Sequence, residues 1–295
     1  MDNYNTIEKI KRLALISIFS NDYLMAHLVL KGGNAINMIY GFSGRASLDI
    51  DFSMSGEFAK EELPSITNRF KNTLKETFAM EDLSVFDIKF IEKPAEISDD
   101  MKEFWGGYSL TFKVTSKELA DKHGDNIDLL RTTAIPIQKN KKVFKIDISR
   151  HEFCGPKHKE LFEGYAISVY IQDMIVIEKL RSLCQKMKEY EKLVKHSTHR
   201  NSGRARDFYD IYILTKDKTI DLTTEANREL LKESFKAKRV PLSLLNNLSD
   251  YKEQHKQDYP SLRATINADN ELKDFDFYFD YVLDLVEELK PFRDK

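Results

Sequence analysis

The segment Leu30-Lys31-Gly32-Gly33-Asn34-Ala35, followed by Arg45-Ala46-Ser47-Leu48-Asp49-Ile50-Asp51-Phe52, constrains this chain more than any other. His27-Leu28-Val29-Leu30 is a short apolar run ending at Lys31, the pattern of a buried strand. Gly32-Gly33 breaks that strand. The apolar spacing from Ala35 to Tyr40 then predicts a short helix, with Asn34 as its N-cap and Gly41 as its stop. A glycine pair between strand and helix lets backbone N–H groups approach a phosphate, although the same turn also serves as a plain tight connection. Leu48-Asp49-Ile50-Asp51-Phe52 alternates strictly. Leu48, Ile50 and Phe52 are expected to face the core, with Asp49 and Asp51 together on the other face.

Two neighbouring carboxylates repel each other unless a cation lies between them. Mg²⁺ suits such a pair, because it takes one or two carboxylates and completes its shell with water and phosphate oxygens. The bland alternative is a solvated edge strand. Val143 to Ser149 alternates as well, with Phe144, Ile146 and Ile148 on one face and Asp147 on the other. If that strand lies beside the first, Asp147 completes a three-carboxylate site of the kind that moves a nucleotidyl group. Asp147 would then be the base, or the ligand nearest the attacking hydroxyl.

Taken together, Gly32-Gly33-Asn34, Ser47-Leu48-Asp49-Ile50-Asp51 and Asp147 resemble the nucleotidyltransferase fold shared with DNA polymerase beta. Glu178-Lys179-Leu180 and Arg204-Ala205-Arg206-Asp207-Phe208-Tyr209-Asp210-Ile211-Tyr212 narrow this to a resemblance to the AbiEii/AbiGii toxins of type IV toxin–antitoxin and abortive-infection systems, which include the tRNA-modifying MenT toxins. The resemblance spans residues 28–214. It implies an α/β (α+β) fold, a nucleotidyltransferase mixed sheet with helices, closed by a C-terminal helical domain. It also implies that NMP passes from an NTP to an acceptor hydroxyl, with a tRNA 3′ end as acceptor, growth arrest as outcome and a cognate antitoxin as partner. By the same resemblance, Gly33 and Asn34 hold the triphosphate with Ser47 nearby, and Lys31, Gly32 and Arg206 complete the nucleotide-binding set. Asp49, Asp51 and Asp147 are the metal ligands for Mg²⁺, or Mn²⁺ in its place. Lys179 contacts phosphate or acceptor, and Asp207 belongs to the active centre. Where the polymerase-type pattern has Ser after the glycine, this chain has Asn34, which can still donate an N–H to phosphate.

The chain has 295 residues, enough for one large domain or two ordinary ones. Apolar content of 41% and charged content of 32% belong to a globular protein and exclude a disordered one. A net charge of −2 gives no global attraction to nucleic acid, so an RNA partner needs a local patch. Only Cys154 and Cys184 occur, which excludes a disulfide framework and fits a reducing cytoplasm. No signal peptide is expected, since apolar Leu13 to Phe19 runs into Asn21-Asp22 without a small-residue cleavage site. No apolar stretch reaches the length of a membrane span.

Helices are predicted over 5–20 and 60–78, and strands around Phe86–Phe90, Tyr108–Val114 and 143–149, giving a mixed sheet with packed helices. Trp105-Gly106-Gly107 reads as a hairpin turn with a packing tryptophan, or else as a second phosphate loop. After residue 150 strand patterns stop, and helical periodicity runs through 167–195, 204–215, 224–236, 241–256 and 270–290. The break at 151–164, with Gly155-Pro156, divides a nucleotidyltransferase domain (1–150) from a helical domain (151–295) that closes the cleft. The aromatic last helix is expected to present a core face.

The local basic patch lies between residues 179 and 206. Nine Lys or Arg residues, at 179, 181, 186, 188, 192, 195, 200, 204 and 206, face only Glu189 and Glu191. Such a strip suits a polyanion, and equally a solvated helix and loop. His196-x-x-His199 lacks the thiol or carboxylate neighbours of a zinc site. Two other uses of the fold stay open: transfer to a protein or small molecule, including kinase chemistry, and a non-catalytic nucleotide- or RNA-binding module.

Overall fold

The structure, a computed structural model, describes residues 3–42, 44–138, 141–194, 202–267 and 270–290. Seven strands form one mixed sheet: β1 (Val29–Lys31), β2 (Ile50–Ser53), β3 (Leu83–Lys93), β4 (Gly107–Ser116), β5 (Phe144–Ser149), β6 (Lys157–Phe162) and β7 (Tyr165–Tyr170). Their order is β3-β4-β5-β2-β1-β7-β6. β2 runs antiparallel to β1 and parallel to β5, and β1 runs parallel to β7.

Alternation along these strands sorts the residues onto two faces. Leu30, Ile50, Phe52, Ile146 and Ile148 are buried. Helix Asn3–Phe19 packs on helix Leu63–Ala79 across this apolar side, with the rings of Phe19 and Phe52 5.8 Å apart. Ile66, Phe70, Leu74 and Phe78 recur at helical spacing on the buried stripe of Leu63–Ala79, and Pro64 sits at its start, where a missing N–H is tolerated. On the opposite face Lys31 pairs with Asp51, Asp51 with Asp147, and Asp147 with Ser109, making one polar row across four strands.

The second half departs from the sequence reading at one point. Strand patterns do not stop at residue 150. β6 and β7 join the same sheet, with β7 hydrogen-bonded to β1, so a boundary at 150 would cut through the sheet. Ile167, Val169 and Tyr170 are buried on both sides of the strand, so β7 shows a nearly continuous apolar run instead of alternation. The predicted 167–195 helix is therefore strand β7 followed by helices Gln172–Cys184 and Lys188–Val194. Beyond it the structure is helical. Helix Gln172–Cys184 packs on Ala205–Thr215 and Glu225–Ala237, and Phe275–Glu288 packs on Ala205–Thr215. Phe275, Tyr278, Phe279 and Val282 form the core face of that last helix, while Phe277 is exposed.

Trp105-Gly106-Gly107 is a packing turn. Gly106 has φ +103°, and a Cβ on Gly107 would stand 2.0 Å from the Ile148 carbonyl oxygen. Trp105 packs against the core. Since backbone is what blocks that Cβ, Gly107→Ala should destabilise the protein by about 2 kcal/mol, the usual scale of overpacking. Urea denaturation checks this, and an unchanged midpoint would show that β4 and β5 can separate freely here.

Candidate active site

The polar face of the sheet and the helices beyond β7 enclose a cleft of ≈ 700 Å³. Lys31, Gly32, Gly33, Ser47, Asp49 and Asp51 line it from the sheet side, and Lys179, Arg204, Arg206 and Asp207 line it from the helices. The two distant sequence segments thus meet across one space.

Gly32 leaves β1 with φ +69°, a conformation that favours glycine, and a Cβ there would lie 3.0 Å from Asp51 Oδ2. A Cβ on Gly33 would meet Ser47 Oγ at 2.8 Å. The turn therefore packs its backbone directly against the carboxylate strand. The expected N-cap is corrected: the helix begins at Gly32, Lys31 occupies the cap position, and no side chain caps it. Asn34 is buried and donates through Nδ2 to the Asp49 carbonyl oxygen at 2.6 Å. That contact ties the Asn34 side chain to the loop carrying Asp49. Gly41, at φ +73°, ends the helix as expected.

Asp51 and Asp147 are direct partners in the parallel β2–β5 pair, and Asp49 sits two residues before Asp51. Burial, reinforced by Asp147 and Asp49, outweighs Lys31 and pushes the Asp51 carboxyl up to about 6. Lysines face the outer two carboxylates. Lys141 Nζ lies 3.6 Å from Asp49, and Lys145 and Lys93 both reach Asp147. Among the described residues no three Asp, Glu, His or Cys side chains gather closely enough to enclose a metal ion by themselves.

Two buried ion networks form the far wall. Lys179 Nζ contacts Asp207 Oδ1 at 3.1 Å and Asp210 Oδ2 at 2.6 Å, while Arg204 holds the other oxygen of Asp207 at 2.9 Å. Arg45, from the loop ahead of Asp49, grips Asp210 with both Nε and Nη2, at 2.7 and 2.5 Å. Burial alone would raise both carboxyls. Lys179 and Arg204 outweigh it at Asp207, and Arg45 and Lys179 at Asp210, leaving both below the ordinary carboxylate range. In the second network Lys31 Nζ lies 3.2 Å from Glu178 and 3.5 Å from Glu152, and Arg181 joins the same two carboxylates. Lys238 adds a third cation to Glu152.

These networks change several expected roles. Lys31 and Lys179 are on the cleft wall, but their ammonium groups are held by carboxylates. Arg181 likewise reaches the cleft wall, but it is buried and paired with Glu152 and Glu178. Lys186, Arg204 and Arg206 line the cleft as well, with Arg206 donating to Ser261 Oγ at 2.6 Å. Lys195, His196, His199 and Arg200 lie outside the described residues. The sequence reading missed Arg45, Glu152 and Asp210 as parts of the site. Asp210 alone left a signal, one helical turn after Asp207.

Several solved structures are similar to nearly the whole chain, two of them as follows. MenT4, a nucleotidyltransferase toxin from Mycobacterium tuberculosis H37Rv, is 13% identical and shares 97% of this chain and 85% of its own, with a TM-score of 0.52. JHP933 from Helicobacter pylori is 17% identical over 99% of this chain and 95% of its own, with a TM-score of 0.46. A search of curated proteins finds no match. The fold is the one MenT4 also has, here a mixed sheet carrying its glycine turn and aspartate strand against a helical wall, and the family match makes the class of protein a nucleotidyltransferase. Residues 14–281 match the family of the nucleotidyl transferase AbiEii toxin, type IV TA system, and the chain belongs to that family. It is thus a toxin enzyme that uses an NTP in the context of an antitoxin.

Because Asp207 and Asp210 are held below their unfolded values of about 4, they stabilise the fold above that pH and cease to do so as pH falls through their folded values. Arg45→Met should cost about 3 kcal/mol at pH 7, since it strands part of a buried charge. Asp210 then protonates more readily, so the deficit should narrow toward pH 4. Urea denaturation at both pH values checks this, and a deficit that stays constant would mean that Arg45 acts through packing alone.

Proposed function

We propose that this toxin transfers a nucleoside monophosphate from an NTP to the 3′-terminal hydroxyl of a tRNA, with Mg²⁺ as the required ion. The observation that carries the reading is the polar row of the sheet, where Asp51 and Asp147 stand in register beside the Gly32-Gly33 turn. Mg²⁺ needs only one or two protein carboxylates when phosphate and water supply the rest, so Asp49 and Asp51 suit it without a closed cage. Burial chiefly raises the Asp51 carboxyl, with Asp147 and Asp49 adding to it, and a bound cation would offset both. When bound, Mg²⁺ would supply charge neutralisation for the triphosphate and its pyrophosphate product.

This chain's own residues perform the remaining work. Gly32 and Gly33, without side chains, let the triphosphate approach the uncapped helix start. Ser47 stands beside them. The acceptor oxygen attacks the α-phosphorus, the bond from that phosphorus to the bridging oxygen of the β-phosphate breaks, and pyrophosphate leaves. Asp147 takes the proton of the attacking hydroxyl. Lys179 and Asp207 fix the helical wall, and Arg204, Arg206 and Lys186 present positive charge to an RNA. Both substrates are abundant in the cytoplasm, where we place the reaction. Among the described residues no helix is long and apolar enough to cross a membrane.

The test is incubation with total RNA, Mg²⁺ and each α-labelled NTP in turn. Labelled tRNA is expected with at least one nucleotide, and no label with the corresponding γ-labelled NTP. Asp49→Ala and Asp51→Ala should each lower labelling by about 10²-fold or more, the scale on which electrostatic catalytic groups act. Omitting Mg²⁺ should have the same effect. Wild-type protein that labels no RNA with any of the four nucleotides would refute the proposal. Label from the γ position would indicate a kinase instead.

A further inference from the structure

The strands fix a direction along the carboxylate row. In the order β3-β4-β5-β2-β1, the Gly32-Gly33 turn leaves from β1, on one side of Asp51. On the other side, past Asp147 on β5, stand two lysines. Lys145 precedes Asp147 by two residues, shares its face of β5 and forms an ion pair with it. Lys93, at the end of β3, brings Nζ to 4.0 Å from Asp147 Oδ1. It does so across β4, which offers only Gly107 and Ser109 in register between the two strands. The Lys93 side chain is 57% exposed and that of Lys145 25% exposed. They differ in this from Lys31, Lys179 and Arg181, whose charges are held in buried pairs with Glu152, Glu178, Asp207 and Asp210.

An NTP gripped by the glycine turn keeps its phosphates on the β1 side of the row. The lysines at the β3–β5 end therefore face the side from which the second substrate must come. A protein or small-molecule acceptor brings no regular phosphate charge there, whereas a nucleic-acid strand carries a phosphate next to its terminal nucleoside.

We infer that Lys93 and Lys145 are the acceptor-side phosphate contacts, binding the backbone of a nucleic-acid acceptor beside Asp147 and so directing its terminal hydroxyl into the carboxylate row from the β3 edge. The inference rests on the transfer reaction proposed above. It adds a direction of entry and a second basic wall, separate from Lys186, Arg204 and Arg206.

Lys93 is the better residue to vary, because its exposed side chain can change without disturbing the fold. Transfer from the accepted α-labelled NTP to total RNA would be followed at several RNA and salt concentrations for wild type, Lys93→Ala, Lys93→Glu and Lys93→Arg. Lys93→Ala should raise KM for RNA about 5-fold at low salt and reduce the slope of log KM against log salt by about 0.7–0.9, the contribution of one phosphate contact. KM for the NTP should stay at the wild-type value. Lys93→Glu should have a larger effect on RNA, and Lys93→Arg should restore wild-type behaviour. Unchanged KM for RNA and salt slope in both Lys93→Ala and Lys93→Glu would overturn the inference. So would a change confined to the Mg²⁺ requirement, which would mean that the lysine only neutralises Asp147. A wild-type protein that labels no RNA removes the proposed function and the inference with it. A labelling wild type with unaffected Lys93 variants removes the inference alone.

Discussion

The ion pair between Arg45 and Asp210 is the contact on which the rest of the site depends. Arg45 belongs to the loop that leads into the aspartate strand, and Asp210 to helix Ala205–Thr215. Both are buried. Taking such charges out of water costs several kcal/mol per ion in real proteins, which is offset only when each finds well-placed partners. Here the partners come from opposite walls of the cleft, so the charges are satisfied only when the walls are together. Glycines make the approach feasible. A Cβ on Gly33 would stand 3.0 Å from Arg45 Nη2, and one on Gly44 would stand 2.3 Å from Tyr209 Oη. The spacing between glycine turn, aspartate strand and helical wall is therefore set by one bidentate contact and two missing side chains.

The second network has a different consequence. Lys31 ends β1, pairs in register with Asp51, and is engaged by Glu152 and Glu178. Burial opposes its charge, but those two carboxylates more than compensate and its pKa is raised. A firmly cationic Lys31 in turn restrains the rise at Asp51. The same side chain thus supports the sheet's join to helix Gln172–Cys184 and tempers the carboxylate beside it. Lys238 meets the opposite balance. Burial exceeds the attraction of Glu152 and pulls it down to about 8.

Much of the first half was legible because its chemistry is local. Leu48 to Phe52 and Val143 to Ser149 alternate, and alternation alone assigns Asp49, Asp51 and Asp147 to one face. That β2 and β5 are direct neighbours is a long-range fact no local pattern carries, and it turns three aspartates into a row. β7 was hidden by the reverse cause, since a strand buried on both faces loses the alternation by which strands are read. Asn34 misled because a polar residue after a glycine turn looks like a cap or a ligand. Its amide instead meets a backbone carbonyl fifteen residues away. Arg45 carried no signal, as its partner is 165 residues distant. The basic strip was legible as composition, but not its division into buried and exposed cations.

For the transfer proposed above, that division bears on how the cleft would handle two substrates of the same charge. Both an NTP and an RNA end are polyanions, so a uniformly basic cleft would bind either at either place. Here the cations are distributed unequally. Those nearest the floor, Lys31 and Lys179, are matched by carboxylates and add little net charge. Further positive charge lies at Lys186 and Arg206 on the helices, at Arg204, which also holds Asp207, and at the exposed Lys93 beside Asp147 on the opposite sheet edge. Between them the floor carries the carboxylate row. A triphosphate without a cation would be repelled by that row, whereas one bringing its own divalent ion would meet ligands for it. In the proposed reaction the floor would thus favour a nucleotide that arrives with a metal ion, and the rims a longer polyanion that does not need one.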